Sequence, residues 1–178
     1  SSMPKENIDR AIARGNGGGE TSKIEETIYE AYDPAGVALL IETLTDNRNR
    51  AISQIKTVLN KTGGSIAGAG SVAYLFKKIG QIVLNTAKNT LKDENLEEII
   101  VNSGADDFDS DEGLYFIRTV FSDLNTVKRN LEEAGAVIDS SLISYVASNP
   151  VLLPEEKVES VSRLAEALEE LEDVSTVY

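Results

Sequence analysis

From Ile79 to Ser148 the chain alternates strand-like and helix-like apolar patterns, and their order admits few folds. The stretch from Ile79 to Leu84 reads as a strand. "DENLEEIIVNSG" reads as a helix with Leu96, Ile99 and Ile100 on one face and Gly104 as its stop. "ADDFDSDEG" is a short strand and a turn, and "LYFIRTVF" is a strand. "SDLNTVKRNLEEAG" is a helix capped by Ser122 or Asp123, with Leu124, Val127 and Leu131 inside and Gly135 as its stop. "AVIDSSLISYVAS" closes the series as a strand. The order is β-α-β-β-α-β, the split ferredoxin-like unit.

The flanks carry the same theme in two pieces. "KIEETIYEAYDPAGVALLIETLT" is a strand, a turn at Asp33-Pro34-Ala35-Gly36, and a second strand. A helix follows, capped by Thr45 or Asp46, with Ile52, Ile55, Val58 and Leu59 as its buried stripe and Gly63 as its end. The loop "GGSIAGAG" leads to "SVAYLFKKIGQIVLN", read as one strand and then another strand or an extension. This gives β-β-α-β, one helix and one strand short of a full lobe. The C-terminus supplies both. "LPEEKVESVSRLAEALEELED" is a helix with Val158, Val161, Leu164, Leu168 and Leu171 on its core face, and "VSTVY" is a strand. The expected fold is therefore α+β, with two ferredoxin-like lobes. The first is discontinuous, 20–78 with 152–178, and the second, 79–151, is inserted into it. Residues 1–19 hold a short helix, Pro4 to Arg14, and a hinge at Gly15 and Gly17 to Gly19.

Composition removes several kinds of chemistry. The 178 residues contain no Cys and no His. Disulfides, thiolate metal sites, cysteine nucleophiles and histidine proton shuttles are excluded. No set of acid, base and nucleophile at a meaningful spacing stands in their place, so a non-enzymatic protein without cofactor is expected. No apolar run reaches the ~18 residues of a membrane span. Net charge is −13, unevenly spread. Residues 1–92 hold 12 Lys+Arg and 9 Asp+Glu, whereas 93–178 hold 5 and 21. A phosphate-facing surface is expected in the first half, and a solvated acidic body in the second.

Two glycine segments, "RGNGGGE" and "TGGSIAGAGS", follow helices and lack the Gly-Lys-Ser/Thr ending, so they read as connectors rather than phosphate loops. Within the second, Gly63, Gly64, Gly68 and Gly70 form a flexible loop through which backbone can approach a ligand closely. The run "DDFDSDEG" fails as a calcium loop. With Asp107, Asp109 and Asp111 as first ligands, Glu112 stands where Gly is required and Arg118 where the bidentate Glu belongs. No metal site is expected.

"TDNRNR" is different. Two arginines open a helix whose N-terminus already carries partial positive charge. One reading has Arg48 and Arg50 paired with local acids such as Glu42 or Asp46. The other has an anion-binding helix start, where Asn47, Arg48, Asn49 and Arg50 meet a phosphate backbone. Arg10 and Arg14 extend that track, and Lys77 and Lys78 are further candidates. Tyr29, Tyr32 and Tyr74 stack on bases in this reading, or serve as core and cross-strand partners in the other.

These segments together resemble the YebC family, also called YebC/PmpR, whose mitochondrial members are the TACO translational activators. The resemblance is carried by "PKENIDRAIARGNGG", "YEAYDPAGVALLIETLTDNRNRAISQIKTVLNKTGG", "GSVAYLFKKIG", "NSGADDF", "VKRNLEEAG" and "LEELEDVSTVY". It implies a basic helical N-terminal domain followed by two α+β lobes, of which this chain retains only the last N-terminal helix. It implies a cytoplasmic regulator of gene expression, mitochondrial in a eukaryote, that touches nucleic acid. Ribosomal RNA is favoured over a bare DNA duplex, with relief of stalling at proline-rich stretches as the task. A DNA-binding transcriptional regulator and a small-molecule or protein-binding sensor are the alternatives. A monomer is expected. The resemblance offers no catalytic residues.

Overall fold

The computed structural model describes residues 23–178. The helix and hinge expected within 1–19, with Arg10 and Arg14, lie outside the described residues. The described chain forms two compact units, 23–76 with 148–178, and 77–147.

In the first unit, β1 (Glu25–Tyr32) and β2 (Ala38–Thr45) pair antiparallel over their whole length. Their turn is closed by Gly36 N–H donating to the Asp33 carbonyl at 3.1 Å and Val37 N–H donating to Asp33 Oδ1 at 2.7 Å. Helix α1 (Arg48–Thr62) leads to β3 (Ser65–Ile66), which pairs with β1. Helix α4 (Glu155–Glu169) and β8 (Val174–Val177) complete the unit, and β8 pairs antiparallel with β2. The sheet order is β3-β1-β2-β8. The core gathers Ala31, Leu39 and Ile41 from the sheet, Ile55 and Leu59 from α1, and Leu164 and Leu168 from α4. The β2–β8 register shifts between Glu42 and Thr43, and Val174 and Val177, three positions apart, both join this core.

The second unit contains β4 (Phe76–Asn85), α2 (Asp93–Asn102), β5 (Asp107–Asp111), β6 (Leu114–Val120), α3 (Leu124–Glu133) and β7 (Ile138–Ala147). Strand β4 opens one residue before the unit boundary. Its sheet order is β5-β6-β4-β7, the ferredoxin-like order. The first sheet has the same plan with β2, β3, β1 and β8 in the places of β4, β5, β6 and β7. Its third strand has moved to the front of the chain, and its final helix and strand arrive after the insertion. Ile82, Leu84, Tyr115 and Ile117 pack against Leu96 and Ile100 of α2 and Val127 and Leu131 of α3.

Several local expectations are corrected. Asn47, not Thr45 or Asp46, caps α1. Its backbone is extended and its side-chain oxygen accepts from Arg50 N–H at 3.0 Å. Thr45 instead accepts from Asn47 N–H through its hydroxyl. The third strand of the first sheet is Ser65–Ile66, inside the segment read as a loop. "SVAYLF" is a 3₁₀ turn, Ala73–Leu75, running into one long strand. Asp123 holds the N-cap position of α3 without a side-chain capping hydrogen bond; a 3₁₀ turn, Phe121–Asp123, feeds into the helix, and the Ser122 hydroxyl donates to Asp123. Val158 is exposed, because the buried stripe of α4 begins only at Val161.

The charge gradient is also redistributed. The acidic helix α4 folds back into the first unit, so its described residues carry 7 Lys+Arg against 14 Asp+Glu, and the second unit 7 against 13. The acidic half of the sequence is not a separate acidic body.

Candidate nucleic-acid interface

The two arginines that open α1 take different partners. Arg50 turns back along the helix start. Its Nε donates to Asp173 Oδ2 at 2.8 Å, and its Nη2 donates to Asp173 Oδ1 at 2.6 Å and to Asp46 Oδ1 at 2.8 Å. The Asp173 side chain is 1% exposed and sits just ahead of β8. The Thr45 hydroxyl donates to the same carboxylate at 2.9 Å. The hydrogen bond that Arg50 donates to Asp173 is the main cause holding the Arg50 pKa above its ordinary value, against burial, with Asp46 adding to it. A bidentate pair of this kind fixes geometry as well as charge. It ties α1 to the returning C-terminal segment, across 123 residues of sequence. The unfavourable position of a cation at a helix N-terminus is thus offset by two carboxylates.

Arg48 is open. Its guanidinium pairs with Glu25 on β1 at 2.6 Å, with the two side chains 60% and 44% exposed. Such a pair is worth little and exchanges readily with a competing anion. Asn49 is exposed beside it, and the first turn of α1 contains no acid. Asn47 is committed as the cap. Of the four residues expected to meet phosphate, Arg48 and Asn49 are presented to solvent, and Arg50 and Asn47 are held by the fold.

The glycine segment is anchored rather than loose. Gly63 ends α1 in the left-handed region, at φ 82°. At Gly64 an added Cβ would lie 2.8 Å from the Tyr32 carbonyl oxygen, so the glycine serves close packing against β1. Gly68 accepts from Ser71 N–H through its carbonyl. Gly70 N–H donates to Glu30 Oε1 at 2.5 Å, and the N–H groups of Val72 and Ala73 donate to Glu30 Oε2 at 2.6 and 2.8 Å. The amides that suit an anion are filled by the protein's own buried carboxylate. Burial would raise the Glu30 pKa; the hydrogen bonds from Val72, Gly70 and Ala73 outweigh it and leave the value lowered. Neither Glu30 nor Asp173 stood out in the sequence, because each was one acid among thirty with no local motif.

Beyond this turn, Lys77 and Lys78 are exposed on β4, and Lys78 Nζ lies 5.1 Å from the centre of the Phe121 ring. Tyr29 packs against the first core, the Tyr32 hydroxyl donates to the Ser71 carbonyl at 3.4 Å, and Tyr74 is 73% exposed. Asp107 and Asp109 both bind Arg118, at 2.8 and 2.6 Å, so two of the five acids of the run share one arginine on an edge strand. Asp111, Glu112 and Asp93 border a cleft of about 180 Å³ in the second unit. Its acids repel phosphate, and it is smaller than the ~300 Å³ at which small-molecule pockets begin.

The protein-family model for the TACO1/YebC second and third domain matches residues 24–178. The chain belongs to the TACO1/YebC family. A probable transcriptional regulatory protein of Caldanaerobacter subterraneus subsp. tengcongensis is 39% identical over 176 residues, 99% of this chain and 72% of that relative. One from Dehalococcoides mccartyi is 41% identical over 177 residues, 99% of this chain and 70% of the relative. The crystal structure of a conserved hypothetical protein from Aquifex aeolicus superposes with a TM-score of 0.81 at 40% identity, covering 98% of this chain and 72% of the other. The α1 opening and the Glu30-anchored turn both lie inside the matched range.

Proposed function

We propose that this TACO1/YebC family member is a non-enzymatic regulator of gene expression that works by docking on ribosomal RNA, and that it acts as a translation factor at stalled, proline-rich stretches. The observation that carries the reading is the opening of α1. A helix N-terminus faces solvent with Arg48 and Asn49 exposed and no acid in its first turn. Arg48 pairs there at the surface with Glu25, a contact that phosphate can displace, in a chain of net charge −13. This arrangement suits one face docking on phosphate while the rest stays solvated, and it suits poorly the wrapping of a bare duplex. Lys77 and Lys78 are a second exposed cationic pair of the same reading. On this reading the protein works in the cytoplasm, or in the mitochondrion of a eukaryote, as a monomer.

The test is co-sedimentation with purified ribosomes at two salt concentrations, comparing wild type, Arg48→Glu and Lys77→Glu/Lys78→Glu. Arg50 is left intact because it holds the fold. Wild type is expected to pellet, less so at high salt, and Arg48→Glu to stay in the supernatant. Wild type remaining in the supernatant at low salt would remove the ribosome reading. The relatives' names favour a second reading, regulation of transcription through DNA, which a duplex gel-shift with the same variants would separate from the first.

A further inference from the structure

The turn that follows the glycine segment is built around a buried carboxylate and carries one exposed aromatic. Glu30, on β1 and 9% exposed, binds the amides of Gly70, Val72 and Ala73. Val72 is fully buried, and Leu75 N–H donates to the Val72 carbonyl at 2.9 Å. From the far side, Ser148 N–H donates to the Leu75 carbonyl at 2.8 Å, and the Tyr32 hydroxyl donates to the Ser71 carbonyl. The backbone from Gly70 to Leu75 is therefore fixed at both ends. In its middle, Tyr74 stands 73% exposed. A lone exposed aromatic needs no explanation. One mounted on a turn that a buried carboxylate holds rigid is presented, because the ordering cost of binding to it is already met by the fold. Phe121, the other exposed large aromatic among the described residues, has its face occupied by Lys78.

We propose that Tyr74 is a stacking platform for an unpaired nucleobase of RNA. The inference rests on the nucleic-acid reading above and deepens it. Arg48 and Asn49 meet only phosphate and sugar, whereas the Tyr74 ring meets a base face, which every nucleotide offers. Tyr74 thereby selects single-stranded or looped RNA over a closed helix, whose bases are stacked on one another.

The chain contains no Trp, so Tyr74→Trp introduces a single reporter at the site. The probe is a fluorescein-labelled single-stranded RNA 12-mer of mixed sequence for anisotropy, and the same RNA unlabelled for tryptophan emission. Tyr74→Ala is expected to weaken binding by about 5- to 100-fold, and Tyr74→Phe to stay within about twofold of wild type. The indole emission of the Tyr74→Trp variant is expected to be quenched on titration, and circular dichroism of all variants to match wild type. If wild type binds the RNA but Tyr74→Ala binds equally and the indole emission does not move, stacking is overturned while the nucleic-acid reading stands. If wild type itself does not bind the RNA at low salt, both fall together.

Discussion

Replacing Arg50 by Ala will unfold the first unit far more readily than replacing Arg48 by Ala, although the two residues are two positions apart in one motif. The carboxylate left behind decides the difference. Without Arg50, Asp173 stays 1% exposed and keeps the Thr45 hydroxyl, but it loses two guanidinium hydrogen bonds and its counter-charge. Removing one partner of a fully buried pair costs about 3–5 kcal/mol. The Arg50 side chain is 37% exposed, so water enters the vacated space and screens the charge, and about 2–4 kcal/mol is the appropriate range. Arg48 leaves behind only Glu25, 44% exposed, and its loss costs about 0–1 kcal/mol. Urea unfolding followed by far-ultraviolet circular dichroism measures both. With a slope of about 1–3 kcal/mol per molar urea, the Arg50→Ala midpoint falls by roughly 1–3 M, and that of Arg48→Ala by a few tenths. Raising the salt concentration should erase what little Arg48 contributes and leave most of the Arg50 effect. In an Asp173→Asn background, Arg50→Ala should cost less than ~1 kcal/mol, since no buried charge remains to be stranded. Equal midpoints for the two single variants, or an undiminished Arg50 effect in the Asn background, would refute the reasoning.

Glu30→Gln should destabilise the first unit by about 1–3 kcal/mol at neutral pH, because one of the acceptor oxygens holding the 70–73 turn becomes a donor facing backbone N–H groups. The wild-type contribution carries a definite sign with pH. The folded-state pKa of Glu30 lies below its ordinary 4.5, so the stabilisation is fully present above that value and is lost as pH falls through the lowered folded value; acid denaturation curves of wild type and Glu30→Gln should converge there. Gly64→Ala forces a Cβ to 2.8 Å from the Tyr32 carbonyl oxygen and 3.1 Å from Leu59 Cδ2, and should cost about 1–3 kcal/mol in thermal unfolding. Leu59→Ala and Leu131→Ala each empty a fully buried position in a different core and should cost about 2–5 kcal/mol; hydrogen exchange should rise mainly in 23–76 and 148–178 for the first and in 77–147 for the second.

Apolar period and turn chemistry were enough to place nearly every helix and strand. Leu96 and Ile100, Val127 and Leu131, and Ile55 and Leu59 are buried as their spacing requires, and the fold class follows from their order. Local signals also mark the ends, where Gly63, Gly104 and Gly135 adopt positive φ. They failed where two neighbours compete for one role, as with Thr45, Asp46 and Asn47 at the α1 cap. They failed again where a strand is two residues long, as with Ser65–Ile66. In both cases backbone position, not side-chain type, decides.

The site is where sequence and tertiary structure part most clearly. Residue type at close spacing identified "DNRNR" as a cationic helix opening, because that is a local property. It did not distinguish Arg48 from Arg50, since the partner that holds Arg50 lies 123 residues away and arrives only when the last strand closes the sheet. Nor did the glycine run reveal that its amides are filled, because Glu30 reaches Gly70 across 40 residues. Charge along the chain suggested a basic half and an acidic half, and folding mixed them by returning α4 to the first unit. The sequence by itself determined which segments are amphipathic and where they stop, through side-chain period and backbone conformational preference. Only the tertiary structure decided which charges are spent inside the fold and which face solvent, because pairing and desolvation are set by distances between residues far apart in the chain.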